Sequence, residues 1–376
     1  MKYRLTALSP LLVGDGHKLS PIDYMVWKDQ VNVLDQRRIF KLLSKGPRLD
    51  GYLAQLKKSD KLDFASWGGF AQNFADRRVP FEDPSSSRYW ERAAGESLHI
   101  PTFACGIAGP FVPGSAIKGA LRTGALFAGL KPGSLQAIAQ RMKEDRPPRR
   151  PAEQTEEQVL GASGHSRMRA IRVADSEPIA KTAFKIYLLR VSTLQKRAGA
   201  PGPAAVAPPT GDFTLGWKQS PRGVVDARKP EESTPSFAEM AVPGSIFEGD
   251  WQERAQRGRI FEAVNRYAEQ LLTTQLQYAA WTRLERLTRN LESLRERLTS
   301  LRRDSACILS LGWGGGLLSK TAWIEGDQDD YHQILRTLPL YSRALGTGLP
   351  FPKTRRIVFE NNQPSTLPGW ALLELM

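Results

Sequence analysis

Between Gly244 and Leu338 the chain carries no proline, although 26 prolines are spread through its 376 residues. Inside that span Leu284, Leu287, Leu291, Leu294, Leu298 and Leu301 recur at alternating spacings of three and four. That rhythm draws one apolar stripe along a helix. About three heptads suffice for a helical hairpin or a helix packed on a core, and are too few for a self-standing coiled coil. The spacing therefore predicts a long helical insertion over about 252–305, whose arginines read as solvated surface or as contacts with a polyanion or a neighbour.

Elsewhere the pattern is mixed. Residues 3–13 read as an opening strand closed by Gly14-Asp15-Gly16, and 24–35 as a second strand followed by a helix over 36–57. Further strand-like segments stand at 169–174 and 183–193, while 141–158 is a charged insertion expected to face solvent. The tract 198–211 (AGAPGPAAVAPPTG) is too poor in large apolar residues to build a core and reads as a linker or mobile loop. It sets the expected boundary between an N-terminal module, 1–197, and a C-terminal module, 212–376, in an α+β protein.

Charge narrows the partner. Lys and Arg number 53 against 39 acidic residues, for a net +14, which favours a polyanion. An anionic membrane surface would attract the same charge, but no apolar run is long enough to cross a bilayer. The start of the chain lacks a signal-peptide pattern, so a cytoplasmic location is expected. Cys105 and Cys307 form no CxxC pair and read as buried thiols, with no disulfide framework or zinc ribbon. No metal or cofactor is expected.

Four segments carry candidate chemistry. In 112–122 (VPGSAIKGALR), Pro113, Gly114 and Ser115 open a helix whose free N–H groups suit an anion, and Lys118 and Arg122 are one turn apart. An ordinary capped helix with a cationic flank would show the same pattern. In 311–321 (LGWGGGLLSKT), Gly312, Gly314, Gly315 and Gly316 precede Lys320 and allow amides to converge on a phosphate. A nucleotide-hydrolysing P-loop is set aside, because Ser319 stands where that motif requires glycine. Lys353, Arg355 and Arg356 enter a strand-like stretch beside Phe351, as phosphate contacts or a basic surface loop. Arg167 and Arg169, next to His165 and Arg172, are expected to alternate onto one strand face. Catalytic patterns are thin: His17, His99, His165 and His332 are scattered, and Asp15 and Asp23 read as turn formers.

As an ordered set, these segments resemble the RAMP superfamily of CRISPR proteins. The residues responsible are Gly14-Asp15-Gly16 with 19–24 (LSPIDY), 113–122 (PGSAIKGALR), Gly312–Thr321 and 352–356 (PKTRR). Their order and separations look most like the family of fifth subunits of type III-A (Csm) complexes. The resemblance implies two ferredoxin-like, RRM-type βαββαβ modules and a non-catalytic subunit that caps the 3′ end of the guide RNA (crRNA) and supports its maturation. It also implies neighbouring backbone subunits and the small subunit as partners, target RNA near the guide 3′ end, and recruited nucleases.

Carried onto this chain, the resemblance makes Gly114, Ser115, Lys118 and Arg122 guide-backbone contacts. Gly312, Gly314, Gly315, Gly316 and Lys320 become an RNA-facing loop, and Lys353, Arg355 and Arg356 further phosphate contacts. Tyr24 or Trp313 is available for base stacking. In related backbone subunits a loop Asp supports RNA cleavage; Asp23 falls in a comparable place but is followed here by Tyr24. Two rival readings remain: an endoribonuclease that trims precursor guides through Asp23 or His17, and a filament-capping scaffold that barely touches RNA.

Overall fold

The computed structural model describes residues 1–376 except 47, 59–60, 63–72, 197–212, 220–225, 254–256, 303, 324–327 and 346–348. Its centre is a five-stranded antiparallel sheet in the order Ala306–Ser310, Trp370–Leu375, Lys2–Ala7, Ile246–Glu253, Ile171–Val173. Along Lys2–Ala7 the apolar residues Tyr3, Leu5 and Ala7 alternate with half-buried ones, so one face enters the core. The opening strand is shorter than the expected 3–13. Pro10 has no N–H for a sheet, and Ser9 instead accepts the Trp370 N–H through Oγ at 3.0 Å.

A second antiparallel sheet is organised by the 13-residue strand Phe184–Lys196. Thr354–Glu360 lines one of its edges, while Ser236–Ala241 and Phe213–Lys218 share the other. Its residues are buried almost without interruption because both faces are covered. Tyr187 and Leu189 join one core, and Ile186 and Leu188 join the other.

These pairings revise the expected organisation. The tract 198–211 lies outside the described residues, yet the strands flanking it pair directly, Lys196 opposite Phe213. Each large sheet also draws strands from both sides of the tract. The α+β class holds, but the halves 1–197 and 212–376 are interleaved: the first strand completes its sheet only with strands from the second half.

Other expectations shift locally. The strand expected over 24–35 is a hairpin, Tyr24–Trp27 with Gln30–Leu34, because Lys28 and Asp29 both adopt positive φ (49° and 57°), as a two-residue turn matched to strand twist requires. The helix over 36–57 is two helices, Gln36–Leu43 and Leu49–Lys58, with Gly46 between them. The charged insertion carries the short helix Glu153–Leu160, which buries Thr155 and Leu160.

The leucine stripe behaves as its spacing demands. Helix Arg257–Thr282 turns back into Glu285–Thr299, where Leu287, Leu291, Leu294 and Leu298 are buried. Asn265 on the first of these helices seals the edge of the central sheet: its Nδ2 donates to Ala306 O (3.0 Å) and its Oδ1 accepts from Ile308 N–H (3.1 Å). The same helix packs on Gly114–Gly129, where a Cβ at Gly124 would lie 2.7 Å from a Val264 methyl and 2.8 Å from Val264 Cα. Gly124→Ala is therefore expected to lower stability by about 1–3 kcal/mol, read as a drop in thermal midpoint, since two helix backbones must separate.

Candidate nucleic-acid interface

Three separate stretches converge at one end of the central sheet. In the first, Gly16 (φ 95°) turns the chain and Asp15 Oδ1 accepts the His17 N–H at 2.9 Å. Lys18 and Leu19 then pair with Pro101 and Ile100, which leaves the Lys18 side chain exposed at a rim. The second is the helix Gly114–Gly129. Gly114 is buried, and a Cβ there would sit 2.2 Å from Val173 O, so only glycine fits. Its N–H donates to Asp175 Oδ1 at 2.8 Å, so a carboxylate already caps the amide that the sequence left for an anion.

The third is the glycine-rich loop that follows Ala306–Ser310. Gly312 has φ 80°, and its Cβ would lie 2.2 Å from Leu12 O. The loop is pinned by Leu311 N–H to Gly369 O (2.8 Å) and Trp313 N–H to Leu12 O (2.7 Å). Among the described residues, the N–H groups of Gly312, Gly314, Gly315 and Gly316 donate to nothing. Adjacent unpaired amides of this kind form an anion-binding concavity.

The three stretches line one cleft of about 460 Å³, whose walls include Gly14, Lys18, Gly119, Gly312, Trp313 and Lys320 and contain no carboxylate among the described residues. On the other side of the loop lies a second cleft of the same size, walled by Gly314, Gly315, Gly316 and the segment Phe351–Arg356. The loop is thus a partition whose glycines serve both clefts.

Several predicted residues sit elsewhere than expected. The helix faces the first cleft with Ala116, Gly119, Ala120 and Thr123; Lys118 and Arg122 occupy another face. Arg122 instead pairs with the half-exposed Glu156, beside a small cleft that also includes Lys320. Ser115 is exposed at the helix start. Arg167 and Arg169 lie on the 3₁₀ turn Arg167–Ala170, not on a strand, because Ser166 Oγ caps Met168 N–H and Met168 is buried between them. Both arginines are exposed and line neither cleft.

Arg355 turns inward, only 8% exposed, whereas Lys353 and Arg356 are half-buried. Tyr24 is a core residue, 1% exposed, whose hydroxyl donates to Leu98 O and accepts from Trp90 Nε1, so it offers no face to a base. Trp313 remains at the cleft, with the Arg356 guanidinium 4.1 Å over its ring. Asp23 is tied to Ser20, accepting from its N–H (2.7 Å) and its hydroxyl (2.6 Å), as a turn former does.

Sequence reasoning missed Lys18, although it directly follows the Gly14–His17 turn that had been singled out. It also missed the Trp313–Arg356 pair, which joins positions 43 apart and leaves no local signal.

The model of the RAMP superfamily matches residues 4–319. The chain belongs to that superfamily. Among solved structures, this RAMP protein is similar to a chain in the cryo-EM structure of a Csm-crRNA-target RNA ternary complex of a type III-A CRISPR-Cas system. The TM-score there is 0.66 and the identity 19%, with 100% of both chains covered. It is also similar to Csm5 of T. onnurineus, with a TM-score of 0.56 and 17% identity over 99% of this chain and 100% of that one. At such identities the likeness is one of fold. The comparison with curated proteins finds no match.

Proposed function

We propose that this RAMP protein is a non-catalytic, guide-RNA-binding subunit of a type III-A (Csm) CRISPR effector. In this reading it sits at the guide 3′ end in the cytoplasm and supports guide maturation and assembly. The observation that carries the proposal is the cleft, free of carboxylates among the described residues, where Lys18 and Lys320 meet the unpaired Gly312 amide. Amides and lysines there engage phosphates without reading bases, which suits a guide of any sequence. The fold it shares with a chain of a Csm-crRNA-target RNA complex supports the same assignment. Backbone subunits, the small subunit, target RNA near the guide 3′ end and recruited nucleases are the partners this position implies.

The test is binding of single-stranded RNA across a salt series. The logarithm of affinity should fall linearly with the logarithm of salt, by about 0.7 for each phosphate engaged. A flat salt response would overturn RNA binding. Cleavage of a labelled precursor guide by the wild-type chain, lost in His17→Ala, would overturn the non-catalytic assignment.

The Arg122–Glu156 pair supplies a graded check. Both side chains are about two-fifths exposed, so the pair itself contributes little to stability. Glu156→Gln releases Arg122 beside Lys320 and should tighten RNA binding about two- to fivefold at low salt, as read by filter binding.

A further inference from the structure

The second cleft holds a charge imbalance that backbone binding in the first does not use. Lys353, Arg355 and Arg356 line it, and among the described residues no carboxylate does. The Arg355 guanidinium reaches only neutral acceptors: Nε donates to Gln275 Oε1 (2.5 Å) and Nη1 to Pro352 O (2.6 Å) and Thr354 O (2.9 Å). It also lies 4.4 Å over the Tyr278 ring. Burial pushes its pKa down to about 10. Burial likewise lowers that of Arg356, whose Nε is sealed from solvent with no acceptor. Lys353 is lowered by burial first and by the nearby Lys218 second, with Asp226 opposing the shift.

A buried guanidinium held only by neutral acceptors, as Arg355 is, is costly, and so is an unpaired buried N–H such as Arg356 Nε. An anionic ligand would relieve both. The same cleft is lined by Gly314, Gly315 and Gly316, whose N–H groups donate to nothing among the described residues, and a Cβ at Gly314 would lie 3.9 Å from Arg356 Cδ. Part of the wall is aromatic: half-buried Phe351 meets Tyr341 edge-on, with ring centroids 5.6 Å apart. The cleft thus combines groups that suit a phosphate with groups that suit a flat ring, and about 460 Å³ lies within the usual range of small-ligand sites.

We propose that this cleft holds a single nucleotide, its phosphate against the Gly314–Gly316 amides and Arg356 and its base against Phe351 and Tyr341. This deepens the RNA-binding reading: one nucleotide is drawn out of the strand into a pocket separate from the cleft that carries the backbone. The same chemistry would accept a free mononucleotide, so the test has two arms, each run on the full chain.

In the first arm, calorimetric titration compares AMP and UMP with adenosine and inorganic phosphate. In the second, a bound RNA carrying 5-iodouridine at each position in turn is photocrosslinked and the attached residue mapped. Crosslinks from one position to Phe351 or Tyr341 support capture of a strand nucleotide. Mononucleotide binding tighter than phosphate or nucleoside alone supports a free ligand. Phe351→Ala should weaken whichever arm is positive about ten- to a hundredfold, and Phe351→Leu, which keeps an apolar wall, should lose the stacking while preserving the fold.

RNA that binds at full strength with neither signal would overturn the nucleotide pocket and leave the guide-binding proposal standing. If RNA fails to bind at all, the guide-binding proposal falls and the pocket is decided by mononucleotide titration alone.

Discussion

Lys18→Ala combined with Lys320→Ala is expected to weaken single-stranded RNA binding about a hundredfold at low salt, with thermal stability unchanged. Both lysines are exposed, line the first cleft and form no ion pair among the described residues. Each is free to pair with a phosphate, and charge-assisted bonds are among the stronger polar contacts. The salt dependence should shrink with them, its slope falling by about 1.4 if each lysine neutralises one phosphate. Lys118→Ala with Arg122→Ala is the informative control. These residues occupy another helix face, and the double variant should lose less than about threefold, in line with an exposed pair's small contribution. Equal losses in the two variants would move the RNA path onto the outer face of the helix.

The second large effect falls on the helical hairpin. Leu291→Ala should destabilise the chain by about 2–5 kcal/mol, because Leu291 is fully buried and neighbouring side chains only partly close the resulting cavity. Urea unfolding should show a lower midpoint with an unchanged slope. Arg295→Ala, one turn along on the exposed face, should stay within about 0.5 kcal/mol of the parent.

That contrast shows what was legible before any coordinates. Leucine spacing specified the buried face of Glu285–Thr299 because helical periodicity is local, and it located the hairpin correctly within 252–305. The glycines at 312–316 announced a backbone-presenting loop for an equally local reason: positive φ at Gly312, Gly314 and Gly316 excludes larger residues. Sheet membership was not legible. Nothing near Lys2–Ala7 says that its neighbours are Ile246–Glu253 and Trp370–Leu375. The linker reading of 198–211 implied two successive modules, whereas the strands on either side of it pair with each other, Lys196 opposite Phe213.

Individual side chains divided along the same line. Lys320 and Lys353 do line the clefts; Arg355 lines one but is buried, Tyr24 turns into the core, and Arg122 found a carboxylate 34 positions away. Side-chain type states which chemistry is available. Only tertiary packing decides whether a cation faces solvent, an aromatic ring or a counter-charge.

The opening strand Lys2–Ala7 lies between partners made much later, and Met376 N–H donates to Lys2 O at 2.9 Å. During synthesis, therefore, the first strand must wait for Trp370–Leu375 before it gains its second neighbour. Such distant pairings close slowly and expose unsatisfied edges meanwhile. The cleft inherits the delay: Gly312 is fitted against Leu12, and Leu311 is held by Gly369. A nascent chain halted before residue 369 would lack the last support of that loop, so competence to grip RNA should arise only once that residue has been added.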